Sequence, residues 1–116
     1  MIPARRKKPK LGLRKVPQIR RPSHLTWLRG HECAIAGRNG HACEGRIEAA
    51  HVRAGTDGGL GVKPSDCWTL PLCTSAHALQ HQIGEAEFER RYGIDMKAIA
   101  SALWARSPHR RKVEAA

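Results

Sequence analysis

The chain has 116 residues, one domain's worth, and only 4% of them are aromatic. The core is therefore thin, and a metal staple would help to hold it. There are 21 Lys/Arg against 10 Asp/Glu, a formal net charge of +11. No run of about 18 apolar residues occurs, which excludes a membrane-spanning helix. The basic N-terminus is not followed by an apolar stretch, so no secretion signal is expected.

Residues 1–22 are expected to form a disordered arm, broken by Pro3, Pro9, Pro17 and Pro22. Its first 21 residues hold nine of the basic side chains, among them Arg5, Arg6, Lys7, Lys8, Lys10, Arg14 and Lys15, and no acid. The remainder is nearly balanced, with 12 basic residues against all 10 acids. A basic block of this kind suits a polyanion, because each neutralised phosphate releases a counterion. A nucleic acid is the expected partner.

Ser23 is placed to cap a short helix carrying Leu25, Trp27 and Leu28, with Gly30 as its stop. From His31 to Gly45 the chain is rich in Gly, Cys and His and has neither helical nor strand periodicity, which suits a metal-tied loop. Short strands are predicted over Ile47–Val52 and Trp68–Leu72, joined by a Gly-rich connection. Helices follow over Thr74–Ile83 and Glu85–Tyr92, separated by Gly84 and stopped by Gly93. A last helix, capped by Asp95, would bury Ile94, Ala98, Ile99, Ala102 and Leu103. The order is strand, long loop, strand, helix, with helices on both sides.

Four cysteines and seven histidines supply ligands. In the cytoplasm, the compartment expected here, clustered Cys and His bind metal more often than they pair as disulfides. His77 and His81 stand four apart on a predicted helix, so their rings face the same way and can share an ion. His51 lies on the first strand and Cys73 just before the helix.

The stretch IEAAHVRAGTDGGLGVKPSDCWTLPLCTSAHALQHQIGEAEFERRYGID, with HLTWLRGHEC before it and ALWARSPHR after it, resembles the HNH nuclease family. More closely, it resembles the branch that includes phage recombination-enhancement nucleases. The resemblance covers residues 23–110 and implies an α+β fold: a ββα-metal core with flanking helices. The partner it implies is DNA. His51 would be the general base of phosphodiester hydrolysis, and His77 and His81 would hold a catalytic divalent cation (Mg²⁺, Mn²⁺ or Zn²⁺). Cys33, Cys43 and Cys73 would hold a structural zinc, with His41, Cys67 or His77 left to complete the set.

The sequence departs from the family pattern at three places. Ala50 stands where many members put Asp or His beside the base, Trp68 where the Asn is expected, and Ala76 where a His often follows the Cys. The cation would then have two histidine ligands and waters, or His51 as a direct ligand.

Arg53 and Lys63 flank the Gly-rich loop and are candidate phosphate contacts; Asp57 and Asp66 are candidates to reach the metal. His24, His31 and His109 are expected to be surface or structural residues. The rival to a nuclease is a zinc-stapled DNA-binding module of phage or bacterial recombination or packaging that has lost catalysis. A basic RNA-associated protein leaves the ordered His/Cys set unexplained.

Overall fold

The computed structural model describes residues 18–59 and 61–111. Arg5, Arg6, Lys7, Lys8, Lys10, Arg14 and Lys15 of the arm lie outside the described residues, as do residues 112–116. Among the described residues the architecture is α+β: four α-helices around one antiparallel hairpin.

Helix α1 spans Pro22–Leu28 and starts one residue before the expected Ser23 cap. Arg21 occupies the cap position with no side-chain hydrogen bond, and Pro22 opens the helix. Proline suits that first position because its φ is already helical and the N–H it lacks would be unpartnered anyway. Leu28 and His24 are the buried residues of α1.

Strand β1 (Ile47–His51) pairs with β2 (Thr69–Cys73), matching Ile47 with Cys73, Ala49 with Pro71 and His51 with Thr69. The second strand is shifted one residue C-terminal of the expected Trp68–Leu72, so Cys73 ends it. All five β2 residues are buried, as befits a strand covered on both faces, which explains why the LPLC run after Thr69 is apolar throughout rather than alternating. Its outer edge is not bare, since the Ala34 N–H donates to the Pro71 carbonyl (2.8 Å).

Helix α2 (Thr74–Ile83) follows β2 directly, and Cys73 caps it by accepting from the Ala76 N–H. Gly84 separates it from α3 (Glu85–Tyr92), and Gly93 stops α3 in the left-handed conformation at φ 63°. Helix α4 (Met96–Arg106) is capped by Asp95 through the Ala98 N–H, as its sequence predicts. Its buried side is Met96, Ala100 and Leu103, with Ile99 half-buried, whereas Ala98 and Ala102 are exposed. The expected stripe was thus rotated: Met96, Ile99, Ala100 and Leu103 follow the i, i+3, i+4, i+7 spacing of one helix face.

The core gathers Ile35, Ala50, Val52, Leu70, Leu72, Phe88 and Met96. It lies between the hairpin and α2, α3 and α4, so the strand end at His51 and the junction at Cys73 sit at its two margins.

Candidate functional site

Cys33, His41, Cys43 and Cys73 come together, and one ligand atom from each lies within 4.8 Å of the others. Three thiols and an imidazole are the donor set of a closed tetrahedral zinc site, so these residues can hold a metal ion such as zinc. Cys33 and Cys73 are buried and Cys43 lies at the exposed rim. Three local features bring them together. The Cys73 N–H donates to Cys33 Sγ (3.3 Å). A 3₁₀ turn over Arg38–Gly40 folds the loop back, and His41 Nε2 lies 3.4 Å from Cys73 Sγ.

Burial pushes the Cys73 thiol up, yet hydrogen bonds from Ser75, His41 and the Ala76 N–H outweigh it and bring Cys73 down to about 6. Cys43 is pushed up to about 12 by loss of water and by sharing hydrogen bonds with Cys73 and Cys33. The hydrogen bonds to Cys73 favour its thiolate, the form that binds metal. Of the three residues open as fourth ligand, the fold selects His41. Cys67 lies elsewhere, half-buried, with its thiol pushed up by burial.

A second constellation is built on the same helix. His77 Nε2 and His81 Nε2 lie 3.3 Å apart on one face of α2. His77 Nδ1 is 2.7 Å from Glu48 Oε1, and Glu48 Oε2 accepts from the Thr74 hydroxyl (2.9 Å). These contacts, the His77 hydrogen bond first, hold the Glu48 carboxyl below its usual range. Because a carboxylate only accepts, the His77 proton belongs on Nδ1 and the lone pair on Nε2, facing His81.

Glu48 was not anticipated from the sequence. Its signal was available: in β1 it shares a face with Ala50, the position where the HNH proteins that the sequence resembles often carry Asp or His.

His51, at the end of β1, lines a cleft of ≈ 690 Å³ together with Arg53, Gly58, Gly59, Gly61 and His81. Among the described residues, His51 does not join His77 and His81 in a second group of ligand atoms within 4.8 Å. Its Nε2 instead meets Asp66 Oδ1 at 3.0 Å. Burial lowers the His51 pKa, with Asp66 opposing that shift. Asp66 therefore touches the histidine, and Asp57 is taken up by Ser65, accepting from its N–H (2.8 Å) and its hydroxyl.

Of the flanking cations, Arg53 is tied inward, its Nη1 donating to the Gly59 and Val62 carbonyls (3.1 and 3.0 Å). Lys63 is exposed. His24 is fully buried and structural, not a surface residue.

A family match covers residues 7–107. The chain belongs to the family described as "Protein of unknown function (DUF968)". No curated protein and no solved structure matches it. In this DUF968 chain both constellations fall within the matched span. No helix among the described residues is long and apolar enough to cross a membrane.

Proposed function

We propose that this protein is a metal-dependent HNH-type DNA endonuclease. The observation that carries the reading is the 3.3 Å approach of His77 Nε2 and His81 Nε2 on one helix, with His81 lining the same cleft as His51. Two imidazole nitrogens at that spacing suit joint ligation of one cation. His77 and His81 would hold that cation, which would supply positive charge to a phosphodiester in the cleft.

In this reading His51 takes the proton from the attacking water. Neutral imidazole is suited to that near pH 7, and the burial that lowers its pKa keeps it neutral there. The Gly58, Gly59 and Gly61 wall of the cleft carries no side chains, so a phosphate backbone can approach closely. The basic residues of the arm, with Lys63, add affinity that does not depend on sequence. The Cys33, His41, Cys43 and Cys73 group acts as a zinc staple that fixes the start of α2. The protein is read as cytoplasmic, encoded by a bacterium or a phage, and a recombination or packaging protein is the candidate partner.

The test is cleavage of supercoiled and single-stranded DNA with Mg²⁺, Mn²⁺ or Zn²⁺, comparing wild type with His51→Ala and His77→Ala. Metal-dependent cleavage that falls by roughly 10²–10⁴-fold in His51→Ala supports the assignment. Tight DNA binding with no cleavage by any of them would instead favour the zinc-stapled binding module. That second reading draws on one observation: the Cys₃His group is complete, whereas His77 and His81 belong to no group of three residues with ligand atoms all within 4.8 Å of one another among the described residues.

A further inference from the structure

The carboxylate of Asp66 is buried, its side chain only 3% exposed, and yet it touches groups from three parts of the chain. Oδ1 lies 3.0 Å from His51 Nε2. Oδ2 accepts from the Arg21 N–H at 2.6 Å, and the Arg20 guanidinium stands 3.6 Å from Oδ1. Its backbone is fixed as firmly: the Asp66 N–H donates to the Ile19 carbonyl (2.8 Å), and the Thr69 hydroxyl donates to the Asp66 carbonyl (2.7 Å). A carboxylate pinned at both oxygens and along its backbone has no freedom left to reorient.

Building on the nuclease reading, we propose that Asp66 is the positioning residue of His51: it holds the ring in the Nε2–H tautomer and leaves Nδ1 as the basic nitrogen. A carboxylate accepts and cannot donate. A neutral His51 in this contact must therefore carry its proton on Nε2, and a proton taken from water can only go to Nδ1. The same carboxylate stabilises the imidazolium that results, as an orienting acid does for a catalytic base in other hydrolases.

Asp66 also links this base to the foot of the basic arm. Besides the Arg21 contact, the Ile19 N–H donates to Ser65 Oγ (2.9 Å), and Arg20 donates to the Lys63 and Pro64 carbonyls (2.9 and 2.6 Å). Residues 18–21 are thus stitched onto the loop that carries Asp66, next to the His51 site.

The experiment is a long-range ¹H–¹⁵N correlation of the His51 ring in the full chain supplied with zinc. It is recorded at about pH 8, above the ordinary titration range of imidazole. The expected spectrum shows a protonated Nε2, a bare Nδ1, and a ring N–H that exchanges slowly with water. In Asp66→Asn the amide can donate as well as accept, so the tautomers mix and that N–H exchanges faster. With Mg²⁺ or Mn²⁺ and plasmid DNA, kcat of Asp66→Asn falls by roughly 10²–10⁴-fold, while the DNA Kd moves little.

A bare Nε2 in the wild type overturns the inference, and it does so even if the variant fails to fold. Unchanged ring exchange and unchanged kcat in a folded Asp66→Asn overturn it too. The nuclease reading fails separately, through a wild type that cleaves nothing with any of the metals. The ring spectrum then still decides the tautomer.

Discussion

His77 Nδ1 lies 2.7 Å from Glu48 Oε1, bridging β1 and α2 at the point where the hairpin meets the helix. The contact fixes which His77 nitrogen is free, and that nitrogen faces His81. Orienting carboxylates behind metal-bound histidines typically account for about 10–100-fold in metal affinity. Glu48→Gln is therefore expected to weaken Mn²⁺ or Zn²⁺ binding at the His77–His81 pair by about that factor. Calorimetric titration with the Cys33 group already filled by zinc isolates the effect. Equal affinities in the two proteins would remove Glu48 from the site.

The Cys33, His41, Cys43 and Cys73 group gives a prediction about metal content. Purified without chelator, the protein should carry close to one zinc per chain, and Cys73→Ala or His41→Ala should carry far less. Structural zinc contributes directly to folding free energy. A loss of about 3 kcal/mol or more lowers the Tm by at least about 12 °C in a domain of this size. Differential scanning calorimetry before and after chelation measures it. A wild type free of zinc, or one whose Tm ignores the chelator, contradicts the staple.

His24 makes stability depend on pH. It is fully buried, its Nδ1 bonds Ser107 Oγ (2.8 Å), its Nε2 has no partner, and its ring packs on Trp27 and Trp104. Burial lowers its pKa to about 4, with nearby Asp66 opposing and His109, His31 and Arg21 adding to the fall. Between the ordinary value of 6.5 and about 4 the unfolded chain binds the proton that the folded chain refuses. Stability is therefore full above about 6.5 and is lost as pH falls towards 4, by about 3 kcal/mol in all. Urea titrations at several pH values should show this slope in wild type and not in His24→Gln. Equal slopes would assign it to other groups.

Gly45 tests the join between the metal-tied loop and α2. It sits at φ +85°, and a Cβ added there would stand 2.4 Å from Thr74 Cβ. Gly40 has a similar φ of +77° but open space around it. Gly40→Ala should cost only the backbone strain, about 1–2 kcal/mol, and Gly45→Ala distinctly more, because the Thr74 Cβ is close to the backbone and cannot swing away. Denaturant midpoints of the two variants give the comparison. A Gly45→Ala protein no less stable than Gly40→Ala would show that the junction yields.

Local chemistry was enough to read much of this protein from its residues. Helices α2 and α3 match their predicted limits because Gly84 and Gly93 end them, and Asp95 announces α4 as a cap. Each signal acts within a turn of chain. The pairing of His77 with His81 was legible for the same reason, since four residues on a helix are neighbours whatever surrounds them.

Contacts between distant segments were not legible. The choice of His41 over Cys67 and His77 depended on how the loop folds against β2. The buried face of α4 depended on what packs against it, so Met96 and Ala100 entered the core where Ala98 and Ala102 were expected. Asp66 stood out only as a candidate to reach the metal, not as a partner of His51, and Glu48 looked like any strand acid. Folding sets one against His51, 15 residues away, and the other against His77, 29 residues away. Sequence spacing fixes neighbours along an element, whereas which side chains meet across elements is decided by packing, and only the tertiary structure contains that.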